Sequence, residues 1–290
     1  MTSIAVIGPG AVGGTVAAWL AQDPAHEVTV CVRTPFETLA VETPEGPITA
    51  SPRVATSPEG LSAVDWVLVA TKAYDTAGTM AWLAALAGPE TRVAILRNGV
   101  EHAVPFAGKV ATQNLVPAVV DIPAERSAPG RVLQRRNGGI KVPAGPAGEG
   151  FAALFAHTPI AIEVVEDFTT EAWKKLALNC AGAVNALVLR TAIVAHDEGA
   201  AQVMRALVRE CVAVGRAEGA DLSDELPDQV IAGYRGQDPA SMNSLHADRA
   251  VGRPMELDAR NGVIVRKGAA HGIETPANAM IVALLNAAAS

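Results

Sequence analysis

The stretch "IAVIGPGAVGG", residues 4–14, constrains the fold more than any other part of the chain. An apolar run over 3–8 reads as a strand, and a helical pattern over 11–22 begins almost at once. Between them lies Gly8-Pro9-Gly10-Ala11-Val12-Gly13, a G-x-G-x-x-G spacing. On its own that spacing is a weak signal. Placed between a strand and a helix, each glycine serves a separate purpose: the tight turn, the close approach of backbone to a pyrophosphate, and close helix–strand packing. The helix N-terminus then turns the amides of Ala11, Val12 and Gly13 toward the phosphates. A tight β–α turn with no ligand is the alternative reading.

The same texture continues. Apolar runs at 26–33, 65–72, 91–96 and 114–121 read as further strands, with helical patterns at 76–87 and 100–107. The run "DWVLVATK" is apolar over most of its length, as expected of a parallel strand covered on both faces. Alternating β and α segments predict right-handed crossovers and a doubly wound sheet. From 123 to 146 Pro, Gly and Arg become frequent, which predicts hairpins, followed by a short helix near 148–156 and a strand near 160–165. Beyond "EDFTT" only helical patterns remain, near 171–189, 198–219, 224–235, 241–251, 255–271 and 277–288, with Thr169 or Thr170 as the N-cap of the first. The expected class is α/β: a Rossmann-like doubly wound sheet over 1–167 that binds a dinucleotide, followed by an all-α substrate and catalytic domain over 168–290.

Charge and composition exclude several functions. A formal charge of −7 argues against a nucleic-acid partner. Cys31, Cys180 and Cys211 are scattered and odd in number, the pattern of reduced intracellular thiols. The opening "MTSIAVIGPG" carries no basic n-region, and the apolar helices are interrupted short of the roughly 20 residues of a membrane span. A cytoplasmic protein with no membrane partner is expected. The six histidines show no metal spacing.

The cofactor can be narrowed further. NAD-binding loops carry an acid after the second strand, which grips the ribose 2′-hydroxyl. Here Arg33 stands in that place. A guanidinium binds a 2′-phosphate where a carboxylate would repel it, so the expected cofactor is NADPH; a surface arginine is the plainer alternative. Lys72 and Asn98-Gly99 both follow apolar strands at the edge where such sheets bind ligands. Taken singly, each also reads as a solvated lysine or an ordinary turn.

In the second half, "EAWKKLALNCAGAVNAL" is apolar nearly all round yet carries Lys175 and Asn179 one turn apart on one face. Two polar groups on a buried face require a polar partner. Snorkelling to water is the alternative for Lys175, and it is the expected state of Lys174.

These motifs together resemble the ketopantoate reductases along the whole chain: the glycine loop, Arg33, "TKAYD", "RNGVE", "WKKLALN" and "SLHADRAVGRPMELDARNG". The resemblance implies a cofactor domain that binds NADPH through Gly8, Gly10, Ala11, Val12, Gly13, Arg33, Lys72 and Asn98. It implies Lys175 as the general acid and Glu256 as its partner, with Asn98, Asn179 and Ser244 hydrogen-bonding a 2-oxoacid substrate. An ammonium aimed at a carbonyl oxygen stabilises the charge that develops there and can supply the proton. Glu256 has a second reading, as a helix-dipole residue in a first turn opened by Pro254.

The chain departs from the family pattern at two places. Ala183 stands where a further asparagine is expected, with Asn185 two residues on as the candidate to replace it if the helix bulges near Gly182. Ser241 also replaces an asparagine. The departures motivate a second reading, a reductase of another 2-oxoacid or branched keto compound. A third is a catalytically silent NADP(H)-binding regulator. An apolar helical domain allows a homodimer.

Overall fold

The computed structural model describes residues 1–289 and divides into two compact units. One comprises Met1–Arg97 and Glu101–Phe168; the other comprises Asn98–Val100 and the chain from Thr169 onward.

The first unit is built on six parallel strands in spatial order Arg53–Ala55, His26–Cys31, Thr2–Ile7, Trp66–Val69, Arg92–Ile95 and Leu115–Pro117. Numbered along the chain within this sheet, the order is 3-2-1-4-5-6, that of a doubly wound dinucleotide fold. Its central strands are apolar on both faces because both are covered: Ile4, Val6 and Leu68 face one core, Ala5, Ile7, Val67 and Val69 the other. Helix Ala11–Leu20 belongs to the first core, and Leu83 and Leu86 of helix Thr76–Leu86 to the second.

Two local expectations are corrected, and the segment before Arg53–Ala55 holds strands that the local sequence pattern left unassigned. These strands, Leu39–Glu42 and Ile48–Ala50, join the hairpin Ala124–Ala128/Arg131–Gln134 in a four-stranded sheet beside helix Ala11–Leu20. The run 114–121 is two strands: Leu115–Pro117 ends the parallel sheet, and Val119–Asp121 pairs with Gly139–Pro143 in a three-stranded sheet. Residues 100–107 form only a single 3-10 turn, Val104–Phe106, with Pro105 inside it. Proline removes an amide donor and opposes a longer helix there.

The second unit is helical throughout: Phe168–Ala181, Ala183–Val188, Glu198–Ala217, Leu226–Arg235, Ser244–Ala250, Val263–His271 and Pro276–Ala289. Helix Glu198–Ala217 packs Met204, Leu207, Val208, Cys211 and Val214 into a core shared with Trp173, Leu176, Ala177 and Cys180. No helix among the described residues is long and apolar enough to cross a membrane.

Candidate active site

In the first unit the glycine loop has the geometry its spacing predicts. Gly8 has φ +80°, and a Cβ there would lie 2.6 Å from Thr71 Cγ2. A Cβ on Gly13 would lie 2.6 Å from the Gly8 carbonyl oxygen and 2.8 Å from Ala70 Cβ. Both positions therefore require glycine for the loop's own packing. Gly10 does not: the nearest atom to a Cβ there is the Gly8 oxygen, at 4.0 Å. Open space over a backbone that the protein itself does not crowd fits the close approach of a pyrophosphate. The first intrahelical bond is Gly14 N–H to the Gly10 carbonyl at 2.9 Å, so the amides of Ala11, Val12 and Gly13 precede the helical ladder.

Arg33 lies just past strand His26–Cys31, with its side chain 89% exposed and 3.7 Å from Asp75. An exposed pair at that separation contributes little and leaves the guanidinium available to an anion. Lys72, half-buried, leads the turn Ala73–Asp75, and its carbonyl accepts the Asp75 amide at 2.9 Å. Behind that turn the buried Arg97 donates to Thr71, Thr76 and Thr79 and stacks over Phe106, which ties the ends of strands Trp66–Val69 and Arg92–Ile95 together.

In the second unit Lys175 and Asn179 are both half-buried on helix Phe168–Ala181, while Lys174 is exposed and pairs with Glu171 at 3.0 Å. The helix starts at Phe168, so neither Thr169 nor Thr170 caps it from outside. Thr170 instead accepts the Asp221 amide at 2.7 Å.

Around Asn179 the unit gathers a hydrogen-bonded cluster from four chain segments. Asn98 Nδ2 donates to Glu256 Oε2 at 3.0 Å, and Asn179 Nδ2 to Asn98 Oδ1 at 3.4 Å. Arg260 Nη2 donates to Asn179 Oδ1 at 3.3 Å and to Ser244 Oγ at 3.0 Å. Asn98 reaches this place because Gly99, at φ +105°, turns the chain there; a Cβ on Gly99 would lie 3.0 Å from the Ala259 oxygen. Ser244 opens a helix capped by Asn243, whose side chain accepts the His246 amide at 2.9 Å.

Glu256 is 6% exposed and precedes the helical segment, which begins at Asp258. The helix-dipole reading of this glutamate is therefore set aside. Asp258–Gly262 is a π-helical turn, marked by the Gly262 amide bonding the Leu257 carbonyl at 3.0 Å. Arg260, Asn261 and Gly262 of this turn are all buried, and π turns of this kind recur at functional sites. Arg260 is invisible as a site residue in the sequence. Four residues after Glu256, it looks like half of a surface i,i+4 pair.

A bulge near Gly182 is the condition for bringing Asn185 into the site, and the chain takes another course. The helix breaks there: Tyr234 Oη donates to the Leu178 carbonyl at 3.1 Å, and Asn243 Nδ2 donates at 3.0 Å to the Gly182 carbonyl, which also accepts the Ala186 amide at 3.4 Å. Burial raises the Tyr234 phenol to about 12, so it remains a donor. Asn185 does not join the cluster. Its two amide protons go to the carbonyls of Arg190 and Thr191, at 3.1 and 2.8 Å, which corrects the expectation that it binds substrate. Ala183 is fully buried among apolar side chains, so its methyl group is core packing.

The family described as "Ketopantoate reductase PanE/ApbA" matches residues 4–147, and its C-terminal counterpart, "Ketopantoate reductase PanE/ApbA C terminal", matches residues 167–289. The 2-dehydropantoate 2-reductase of Caulobacter vibrioides is 83% identical over 289 residues and 100% of both chains. Among solved structures, a PanE/ApbA family ketopantoate reductase from Ralstonia eutropha JMP134 is 32% identical, with a TM-score of 0.91 over 99% of this chain and 98% of that one. A dimeric ketopantoate reductase from Staphylococcus aureus is 26% identical, with a TM-score of 0.87 over 99% and 98%. The cofactor of the family is NADPH. With both parts of the family pattern matched in order and a close relative over its full length, this chain is an oxidoreductase and belongs to the ketopantoate reductase family.

Proposed function

We propose that the chain reduces 2-dehydropantoate to pantoate with NADPH, with Lys175 as the general acid, acting in the cytoplasm as a homodimer. The observation that carries this reading is the cluster that Asn98, Ser244, Glu256 and Arg260 form around Asn179, on the helix that also bears Lys175 one turn away. The 83% identical 2-dehydropantoate 2-reductase of Caulobacter vibrioides supports the activity, and the dimeric Staphylococcus aureus enzyme supports the assembly.

NADPH, when bound, supplies the hydride that adds to C2 of the oxoacid. The glycine loop would hold its pyrophosphate against the amides of Ala11, Val12 and Gly13, with Arg33 and Lys72 as the neighbouring cations. As the C2=O π electrons move onto oxygen, the Lys175 ammonium donates a proton to it and is reprotonated from solvent. Asn179 and Asn98 hold the oxygen and carboxylate in place, and Glu256 balances the local positive charge while fixing the Asn98 amide.

The test is NADPH oxidation followed by absorbance, with 2-dehydropantoate and a panel of other 2-oxoacids, in wild type and Lys175→Ala. The reading expects turnover that falls by about 10²–10⁴-fold in the mutant, with weaker turnover on NADH. A second reading, reduction of another 2-oxoacid, is favoured by the absence of the further asparagine from the cluster: Ala183 stands in its place, and the Asn185 amide goes to backbone carbonyls. Turnover confined to another member of the panel would select it. Tight NADPH binding with no turnover at all would leave a silent cofactor binder.

A further inference from the structure

Arg260 is the most deeply buried charge in the substrate cluster, 2% exposed. Burial works against its charge and Glu256 supports it. Its Nη2 makes both of its hydrogen bonds, while Nε and Nη1 are buried with no partner. Leaving donors of a buried cation unmatched is unfavourable, because each has given up water and gained no acceptor. Nothing in helix packing requires a guanidinium here, because an apolar side chain would fill the same space without that penalty.

What the guanidinium does follows from its chemistry. Arginine donates and never accepts, and a carboxylate only accepts. With Arg260 at one end and Glu256 at the other, the orientation of each amide between them is determined. Asn179 must turn Oδ1 to Arg260 and Nδ2 to Asn98; Asn98 must turn Oδ1 to Asn179 and Nδ2 to Glu256. Ser244 Oγ accepts from Arg260, so its proton is directed elsewhere, and Ser244 is exposed. The amide and hydroxyl oxygens of Asn98, Asn179 and Ser244 all accept within the cluster, which leaves one N–H on each amide and the Ser244 hydroxyl proton as its spare donors. That arrangement receives an anion.

We propose that Arg260 is a specificity-determining positioning residue that turns the Ser244–Asn179–Asn98 cluster into a receptor for the carboxylate of a 2-oxoacid. The inference rests on the reductase reading above and adds to it the residue that selects the charged form of the substrate. Arg260 acts through Ser244 and Asn179 and through its buried charge, without itself touching the reacting atoms.

The test compares a 2-oxoacid with its neutral primary amide, 2-dehydropantoate being the acid, in wild type, Arg260→Met, Arg260→Lys and Ser244→Ala. The readouts are KM and kcat for each compound, and the Kd of each by calorimetry with NADP⁺ present. Arg260→Met should reduce the acid-over-amide preference at least tenfold, chiefly in KM. Arg260→Lys should restore part of it, and adding Ser244→Ala to Arg260→Met should reduce it little further. Equal losses on acid and amide would mean Arg260 only supports the fold and would overturn the proposal, as would an unchanged preference. Should Arg260→Met fail to fold, Arg260→Lys and Ser244→Ala decide: an unchanged preference in both is also a refutation. If wild type turns over no oxoacid, the reductase reading fails by itself, and the calorimetric preference still judges Arg260.

Discussion

The glycine loop permits a paired experiment in which two similar substitutions should have opposite effects. In Gly13→Ala the new methyl would lie 2.6 Å from the Gly8 carbonyl oxygen and 2.8 Å from Ala70 Cβ. Neither is the free end of a flexible side chain: one is backbone, the other a strand residue. The helix must move by several tenths of an ångström, and overpacking of that kind costs about 1–3 kcal/mol. A loss near 2 kcal/mol corresponds to roughly 4–8 °C in Tm for a unit of this size. In Gly10→Ala the methyl meets nothing nearer than 4.0 Å, so the cofactor-free protein should stay within about 0.5 kcal/mol of wild type. The same methyl would occupy the space assigned to the pyrophosphate, and NADPH affinity should fall at least tenfold. Thermal unfolding without cofactor and NADPH fluorescence titration measure the two effects separately. The reasoning is refuted if Gly10→Ala binds NADPH as tightly as wild type, or if it destabilises the free protein as much as Gly13→Ala.

Two further perturbations test other parts of the molecule. Arg33→Ala should raise KM for NADPH about 10–100-fold, a loss of one charge-assisted anion contact, while leaving KM for NADH within twofold; steady-state kinetics with both cofactors decides it. His102 is buried, with Nε2 3.2 Å from the Arg97 carbonyl, and burial holds its pKa down at about 4. Its unfolded value is near 6.5, so between those limits the unfolded chain binds more protons and acid favours unfolding. The contribution is lost as pH falls from 6.5 toward 4, to a total of about 3 kcal/mol. Denaturation midpoints across that range should fall less steeply in His102→Gln, and parallel curves for the two proteins would exclude the assignment.

The sequence alone determined the fold class. Strand apolarity and the glycine spacing are local properties, carried by residues within one turn or one strand of each other, and they are enough to specify a doubly wound sheet followed by helices. It also placed Lys175 and Asn179 on one face, since helical rotation depends only on residue spacing. Tertiary structure decided which polar groups meet. Asn98 and Glu256 bond across 158 residues, a pairing that no local pattern encodes. The π turn at Asp258–Gly262 buries Arg260, where spacing alone would leave it in water, and the break at Gly182 sends the Asn185 amide to backbone carbonyls. The strands at Leu39–Glu42 and Ile48–Ala50 are of the same kind: each is only 3 or 4 residues long and is held by pairing with chain neighbours or with the distant Arg131–Gln134. A polar side chain becomes part of a site, or of a loop anchor, through what the rest of the chain brings to it. Its own sequence neighbourhood sets only the direction in which it points.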